Sequence, residues 1–169
     1  MRVIRSVVAG TVIGVSVACG SAATAPSPDQ LAGTWEGMQT VSRVTGNDCL
    51  VDRFSALIGN SGEFTIVMAQ SGRTLSAMVG GCRYHGDVTN NLFTLDLDPA
   101  SCDVTALGLI CPDGSTRRDI RTRSNRLAGA VVGVSATGTS TETIDVLAAG
   151  TDRVVGAVVE EASFVIRKQ

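Results

Sequence analysis

The sequence predicts an all-β protein, and three observations lead to that prediction. Short runs rich in apolar and β-branched residues recur along the chain, turn-forming residues separate them, and no stretch after residue 30 has the apolar spacing of an amphipathic helix. In residues 93–98 apolar and polar side chains alternate, as is typical of a half-buried strand. About eight to ten strands must hide their edges, so we expect an antiparallel up-and-down (meander) β-barrel.

Three similar segments support a succession of hairpins. Residues 125–132 closely match residues 152–159, and residues 72–79 form a looser copy. Each copy is a turn, an arginine and a strand with small residues at its middle. The copies are interpreted either as a duplicated hairpin unit or as independent hairpins of a chain rich in Gly, Ala and Val. Gly129 and Gly156 lie inside these strands and would permit the bends that a barrel requires.

The N-terminal region predicts export. Arg2 and Arg5 precede a largely apolar run at residues 7–18, which suits a signal peptide and is too short to span a membrane. The residues that follow, up to residue 30, are small, polar and proline-containing, as in a flexible tether. We therefore expect a signal peptide at residues 1–18, a tether at 19–30 and a single β-barrel domain at 31–169.

Cys19 directly follows the apolar run, between Ala18 and Gly20. This arrangement resembles the lipobox of bacterial lipoproteins. The resemblance implies cleavage before Cys19 and attachment of diacylglycerol to its sulfur, so that the protein would be lipid-anchored to a membrane of the exported bacterial cell envelope. The alternative is a secreted or periplasmic protein that is cleaved after residue 23 and also loses Cys19.

Four cysteines remain once Cys19 is set apart: Cys49, Cys82, Cys102 and Cys111. An exported protein meets an oxidising environment in which disulfides persist, and four cysteines allow three pairings. Cys102 and Cys111 are close in sequence and precede a turn, so we expect Cys102–Cys111 together with Cys49–Cys82. No C-x-x-C spacing occurs, which argues against a redox pair or a metal site.

The predicted domain opens on a short motif, in which Gly33 and Trp35 stand at the start of the first strand. A Gly-x-Trp element in this position resembles the lipocalins and the wider calycin barrels. The resemblance implies that Trp35 plugs the closed end of the barrel and that Arg167, near the end of the chain, packs across its ring as a cation–π pair. The alternative is that Trp35 is simply the largest side chain of the core.

The charge is nearly balanced, with 14 Lys and Arg against 16 Asp and Glu, which argues against a nucleic-acid partner. Arginines nevertheless cluster between residues 117 and 126. On a strand, Arg117, Arg121 and Arg123 share one face, which suggests a stripe for an anionic partner such as lipid head groups. The alternative is a solvated outer face that discourages edge pairing.

The sequence contains no recognisable catalytic constellation. His85 has no nucleophile motif beside it, and Asp96, Asp98 and Asp103 lack the spacing of a calcium loop. We therefore expect no enzyme, no cofactor and no metal site.

Binding is the function class that remains. Six aromatic residues leave few rings for stacking a sugar or a base. We expect a lipid-anchored envelope protein that holds a small apolar ligand in its barrel. The alternative is an exported interaction or inhibitor module that acts through a disulfide-stapled loop at residues 102–114.

Overall fold

The structure is a computed structural model that describes residues 31–102, 108–114 and 116–169. The predicted signal peptide, the tether, Cys19 and Asp103 lie outside these residues. Nine strands dominate the described part: β1 (Gly33–Gly46), β2 (Ser61–Ser71), β3 (Thr74–Val79), β4 (Cys82–Thr89), β5 (Leu92–Leu97), β6 (Leu109–Ile110), β7 (Arg117–Val132), β8 (Ser135–Ala148) and β9 (Val154–Lys168). One short helix, α1 (Leu50–Ser55), and a 3₁₀ turn (Pro99–Ser101) accompany them.

All strand pairings are antiparallel, and most join strands that are consecutive in the chain. The sheet order is β5-β4-β3-β2-β1-β9-β8-β7-β6. A further pairing of β5 with β7 runs from Leu92 opposite Ala130 to Asp96 opposite Arg126. Eight strands therefore form a closed ring, and β6 adds to β7 outside it. The predicted all-β class is confirmed.

The strands of the ring differ in length, and this difference creates two ends. β1, β7, β8 and β9 have 14 to 16 residues, whereas β3, β4 and β5 have six to eight. β1 pairs with β2 only as far as Thr40, but it continues along β9 to Gly46. Helix α1 packs beside this extension through Leu50, which is fully buried. The long strands thus carry one apolar cluster inside the ring and a second one under α1.

Trp35 belongs to the cluster inside the ring. Its side chain is fully buried, and its Nε1 donates a hydrogen bond to the carbonyl of Leu31 at 2.9 Å. The prediction that Arg167 packs across the ring of Trp35 is wrong. Arg167 lies opposite Glu36 in the register and is exposed, so its side chain is on the other face of the sheet. The basic residue opposite Trp35 is Lys168, the next residue along β9.

Glycines in the long strands make room for the aromatic side chains of this cluster. A Cβ atom at Gly129 would lie 2.8 Å from the ring of Phe93. A Cβ atom at Gly138, in the neighbouring strand, would lie 2.5 Å from Cζ of Phe164. Phe93 and Phe164 are themselves fully buried, with ring centroids 6.3 Å apart. The strands can therefore approach these rings only where a side chain is lacking.

The four predicted cysteines form two disulfides, but not in the expected pairing. Cys49 is joined to Cys111 and Cys82 to Cys102, with Cα atoms 5.5 and 4.6 Å apart. The pairing Cys102–Cys111 with Cys49–Cys82 is therefore wrong. In the chain-entropy account, the loops of 62 and 20 residues stabilise the fold by about 4 and about 3 kcal/mol.

Strand pairing explains the observed disulfides. β5 runs antiparallel to β4, and after it the backbone N–H of Asp98 donates to the carbonyl of Arg83 at 2.9 Å. The 3₁₀ turn then returns the chain to the beginning of β4, where Cys82 stands. Cys111 follows β6, which pairs with the beginning of β7, beside α1. These pairings between strands distant in sequence, and not proximity in sequence, determine which cysteines are joined.

Candidate functional site

The predicted arginine stripe meets carboxylates of the same chain. Arg123 Nη1 lies 3.1 Å from Oδ1 of Asp145, and Arg121 Nη2 lies 3.5 Å from Oδ2 of the same residue. Arg121 also reaches Asp152 at 3.9 Å, while Arg117 is exposed. Because Asp145 is buried, these arginines mainly balance its charge.

The other polar residues considered in the sequence are accounted for separately. His85 is exposed on β4. Asp96 pairs with Arg126 at 3.4 Å, and Asp98 accepts a hydrogen bond from the backbone N–H of Ala100 at the 3₁₀ turn. His85 and Asp96 lie opposite each other on β4 and β5, whereas Asp98 caps the 3₁₀ turn.

One group of metal-ligating residue types lies close together in the described part of the chain: Asp48, Cys49 and Cys111. The two sulfurs are bonded to each other, so they cannot act as thiolate ligands. Asp48 accepts hydrogen bonds from the N–H of Leu50 and from Nε of Arg118, at 3.1 and 3.2 Å. This group fastens α1 to β7 and does not form a metal site.

A polar layer lies between the two apolar clusters, and two glutamates form its centre. Glu142 on β8 and Glu160 on β9 are directly opposite each other. The neighbouring pairs on the same face are Ser140 with Ala162 and Ile144 with Val158, and all four of these residues are buried. Alternation along the strands therefore turns both carboxyl groups toward the interior.

Two side chains of β7 hold Glu142. Thr122 Oγ1 donates to its Oε1 at 2.7 Å, and Asn125 Nδ2 donates to its Oε2 at 3.4 Å. Oδ1 of Asn125 is buried and has no hydrogen-bond partner. No hydrogen bond or ion pair within the described ranges involves the carboxylate of Glu160.

Burial shifts the titration of this layer. It raises the pKa of Glu142 above the ordinary value of 4.5, and the hydrogen bond from Thr122 acts in the opposite direction. The pKa of Glu160 is also raised, first by burial and then by the charge of Glu142. Tyr84, which faces the interior from β4, has its pKa raised to about 12 by burial and by Glu142. Each shift follows from negative charge in a poorly solvated place.

A cleft of about 320 Å³ gives access to this layer from outside. It opens where β2 begins and the loop after α1 crosses β1, held by hydrogen bonds between Val41 and the backbone of Gly59 and Asn60. Its lining combines apolar and polar side chains: Gln39, Val41, Leu57, Asn60, Ser61, Gly62, Glu63, Phe64 and Glu160. Gln39 Nε2 donates to Ser140 Oγ at 3.2 Å, which connects the lining to the polar layer.

Sequence reasoning missed both glutamates, although a signal for them exists. Glu160 has the strand periodicity of Val158, Ala162 and Phe164, and an acid among apolar residues at that spacing is unusual. Glu142 has the periodicity of Ile144 in the same way. The sequence does not indicate that Thr122 and Asn125 both bind Glu142, because only a register shift between Thr122 and Ser124 puts the two side chains on one face.

Comparison with known proteins adds no relative: no family model, no curated protein and no solved structure matches this chain. Within the described residues, no helix combines the length and the apolar character needed to cross a membrane. The two disulfides are consistent with an exported protein.

Proposed function

We propose that this protein is a bacterial envelope lipoprotein, anchored through Cys19, whose ring of strands is a calycin-like β-barrel that binds a small ligand without catalysis. The observation that supports the binding function is the cleft that leads from solvent to the polar layer. The ring is filled at the Trp35 end by large apolar side chains, so the cleft at the other end is the place for a ligand.

The dimensions and lining of the cleft indicate the size of ligand. Ligand pockets commonly enclose roughly 300–1,000 Å³, so about 320 Å³ suits a small molecule. Val41, Leu57 and Phe64 offer apolar surface, while Gln39 and Glu160 offer polar groups. A small and partly apolar molecule therefore fits better than a long lipid chain.

The ligand proposal is tested by extracting the purified protein with organic solvent and identifying what is released by mass spectrometry. A side chain at Gly62 would enter open space in the lining of the cleft, so Gly62→Leu should reduce the released ligand. Ser163→Leu, at an exposed position of β9, is the matched control. A protein that releases no reproducible small molecule would contradict the proposal.

The anchor is tested independently of the ligand. Intact-mass measurement of protein from the membrane fraction should give a chain that begins at Cys19 and carries acyl groups. Cys19→Ser should release the protein from that fraction, because two or more acyl chains are needed for firm anchoring. An unacylated wild-type mass would remove the anchor and leave the ligand proposal standing.

A second candidate function is an interaction module that acts through the loop at residues 102–114. Two disulfides fix this loop, at Cys102 to β4 and at Cys111 to the beginning of α1. Ile110 within it is 51% exposed. Under this alternative, Ile110→Asp should abolish capture of a specific partner from envelope extracts while Ile58→Asp, at another exposed apolar position, keeps it.

A further inference from the structure

We propose that the cleft selects ligands in which a positively charged amine is attached to a small apolar group. This inference rests on the proposed function and names the class of ligand. It is drawn from the unbalanced carboxylates of the polar layer together with the apolar part of the cleft lining.

The inward-facing and buried acids of the described chain differ in their partners. Asp48 and Asp145 are each nearly inaccessible, and each has an arginine within 3.2 Å. Glu142 and Glu160 face the interior of the ring, but no ion pair of the described residues includes either of them. Like charges directly opposite each other on adjacent strands destabilise a sheet. Among the described residues, arginines therefore balance the two buried aspartates, whereas no cation accompanies the half-buried glutamate pair.

Hydrogen-bond donors in the polar layer are fewer than acceptors. Thr122 and Asn125 supply one donor each, and both donors go to Glu142. The carboxylate of Glu160 and the buried Oδ1 of Asn125 accept nothing from the described residues. An ammonium group carries three donors and no acceptor, so it matches a place that has acceptors in excess. Hydrogen bonds between an ammonium and a carboxylate are also stronger than neutral ones.

The cleft also offers apolar surface for the rest of the ligand. Glu160 lines the same cleft as Val41, Leu57 and Phe64, so a molecule whose amine meets Glu160 can lay its other end on apolar surface. The volume of about 320 Å³ restricts that end to a short chain or a single ring. The ligand class is thus a small amine with one apolar substituent.

The test uses three probes of equal chain length: hexylammonium, hexanol and hexanoate. Isothermal titration calorimetry of the purified protein should give one site for hexylammonium, with at least about tenfold lower affinity for hexanol and no detectable binding of hexanoate. Glu160→Gln should weaken hexylammonium binding at least about tenfold and leave hexanol binding unchanged, and Glu142→Gln should act in the same direction.

The matched control is Glu161→Gln. Glu161 follows Glu160 in β9, but it lies on the outer face with Arg43 at 3.3 Å, so its replacement should leave the affinity for hexylammonium unchanged. Circular dichroism of each variant checks that it is folded.

Each remaining outcome overturns the inference in a recognisable way. Equal affinity for hexylammonium and hexanol, unaffected by Glu160→Gln, would remove the charge preference and leave the proposed binding function intact. A preference for hexylammonium that survives Glu160→Gln and Glu142→Gln would place the amine elsewhere. If none of the three probes binds, the inference fails, while the solvent extraction still decides the proposed function.

Discussion

Tyr84 reports on the charge inside the ring because it is the single tyrosine of the chain. Its pKa is raised to about 12, mainly by burial and further by Glu142. In Glu142→Gln we therefore expect the pKa of Tyr84 to fall but to stay above its ordinary value of 10.0. Spectrophotometric titration of tyrosinate measures this change directly, and Glu161→Gln should leave the pKa where it is. An unchanged titration in Glu142→Gln would mean that its carboxylate does not act on Tyr84.

The raised pKa values of Glu160 and Glu142 make the stability of the protein depend on pH. Its pKa and that of Glu142 are raised above 4.5 in the folded protein, so the native state binds more protons than the unfolded chain. The contribution of these groups to stability is therefore fully present below pH 4.5 and falls as the pH rises through the raised values.

Glu160→Gln removes one of the two charges without changing the size of the side chain. At about pH 8 we expect a free energy of unfolding higher than that of the wild type by about 0.2–1 kcal/mol, because like charges no longer oppose each other. At about pH 4 the difference should vanish, since Glu160 is then protonated. Urea unfolding at both pH values measures this, with Glu161→Gln as control. A variant less stable than the wild type at about pH 8 would contradict the repulsion.

At the scale of the strands, β7 and β8 approach each other and the core rings closely at Gly138. A Cβ atom added there would lie 2.5 Å from Cζ of Phe164 and 2.7 Å from Cα of Gly129. We expect Gly138→Ala to lower the free energy of unfolding by about 1–3 kcal/mol, the cost of forcing extra volume into a packed core.

Gly62 provides the matched control for this substitution. It also lies in a strand, but a Cβ atom there would have nothing within 4 Å. Gly62→Ala should therefore change the free energy of unfolding by less than about 0.5 kcal/mol. Denaturant unfolding of both variants makes the comparison, and equal losses would show that strand glycine, and not the contact with Phe164, sets the cost.

The sequence predicts the secondary-structure elements of this fold better than the contacts between them. Alternation in β5 is confirmed by the burial of Phe93, Leu95 and Leu97. Helix α1 was missed because six residues are too few for a helical periodicity to appear. The disulfide pairing failed for a related reason: it depends on contacts between residues distant in sequence, which local patterns do not specify.

The same limit applies to the site. Strand periodicity is local, so it contains enough information to turn Glu142 and Glu160 toward the interior. Whether the two glutamates lie opposite each other depends on the register of β8 against β9, including a shift after Val146. The cleft requires the position of the loop at residues 56–60, which two backbone hydrogen bonds to Val41 fix. The parts of the site that depend on strand register or on loop position therefore cannot be predicted from the sequence alone.

At the scale of the whole molecule, the two apolar clusters share their strands. β8 and β9 contribute Ala136 and Phe164 to the cluster around Trp35, and Ile144 and Val158 to the cluster under α1. Pairing of β8 with β9 is registered from Ser135 to Leu147, across the polar layer. One cluster therefore cannot lose its strands without disturbing the other.

This continuity predicts a single cooperative unfolding transition. Trp35 is the one tryptophan of the chain and is fully buried at one end of the ring, so its fluorescence reports on that end. Far-ultraviolet circular dichroism reports on all the strands together. We expect both signals to change at the same denaturant concentration, since a two-state domain gives coincident transitions with every probe. Loss of a large part of the dichroism before the fluorescence of Trp35 changes would mean that the α1 end unfolds separately, despite the strands that both clusters share.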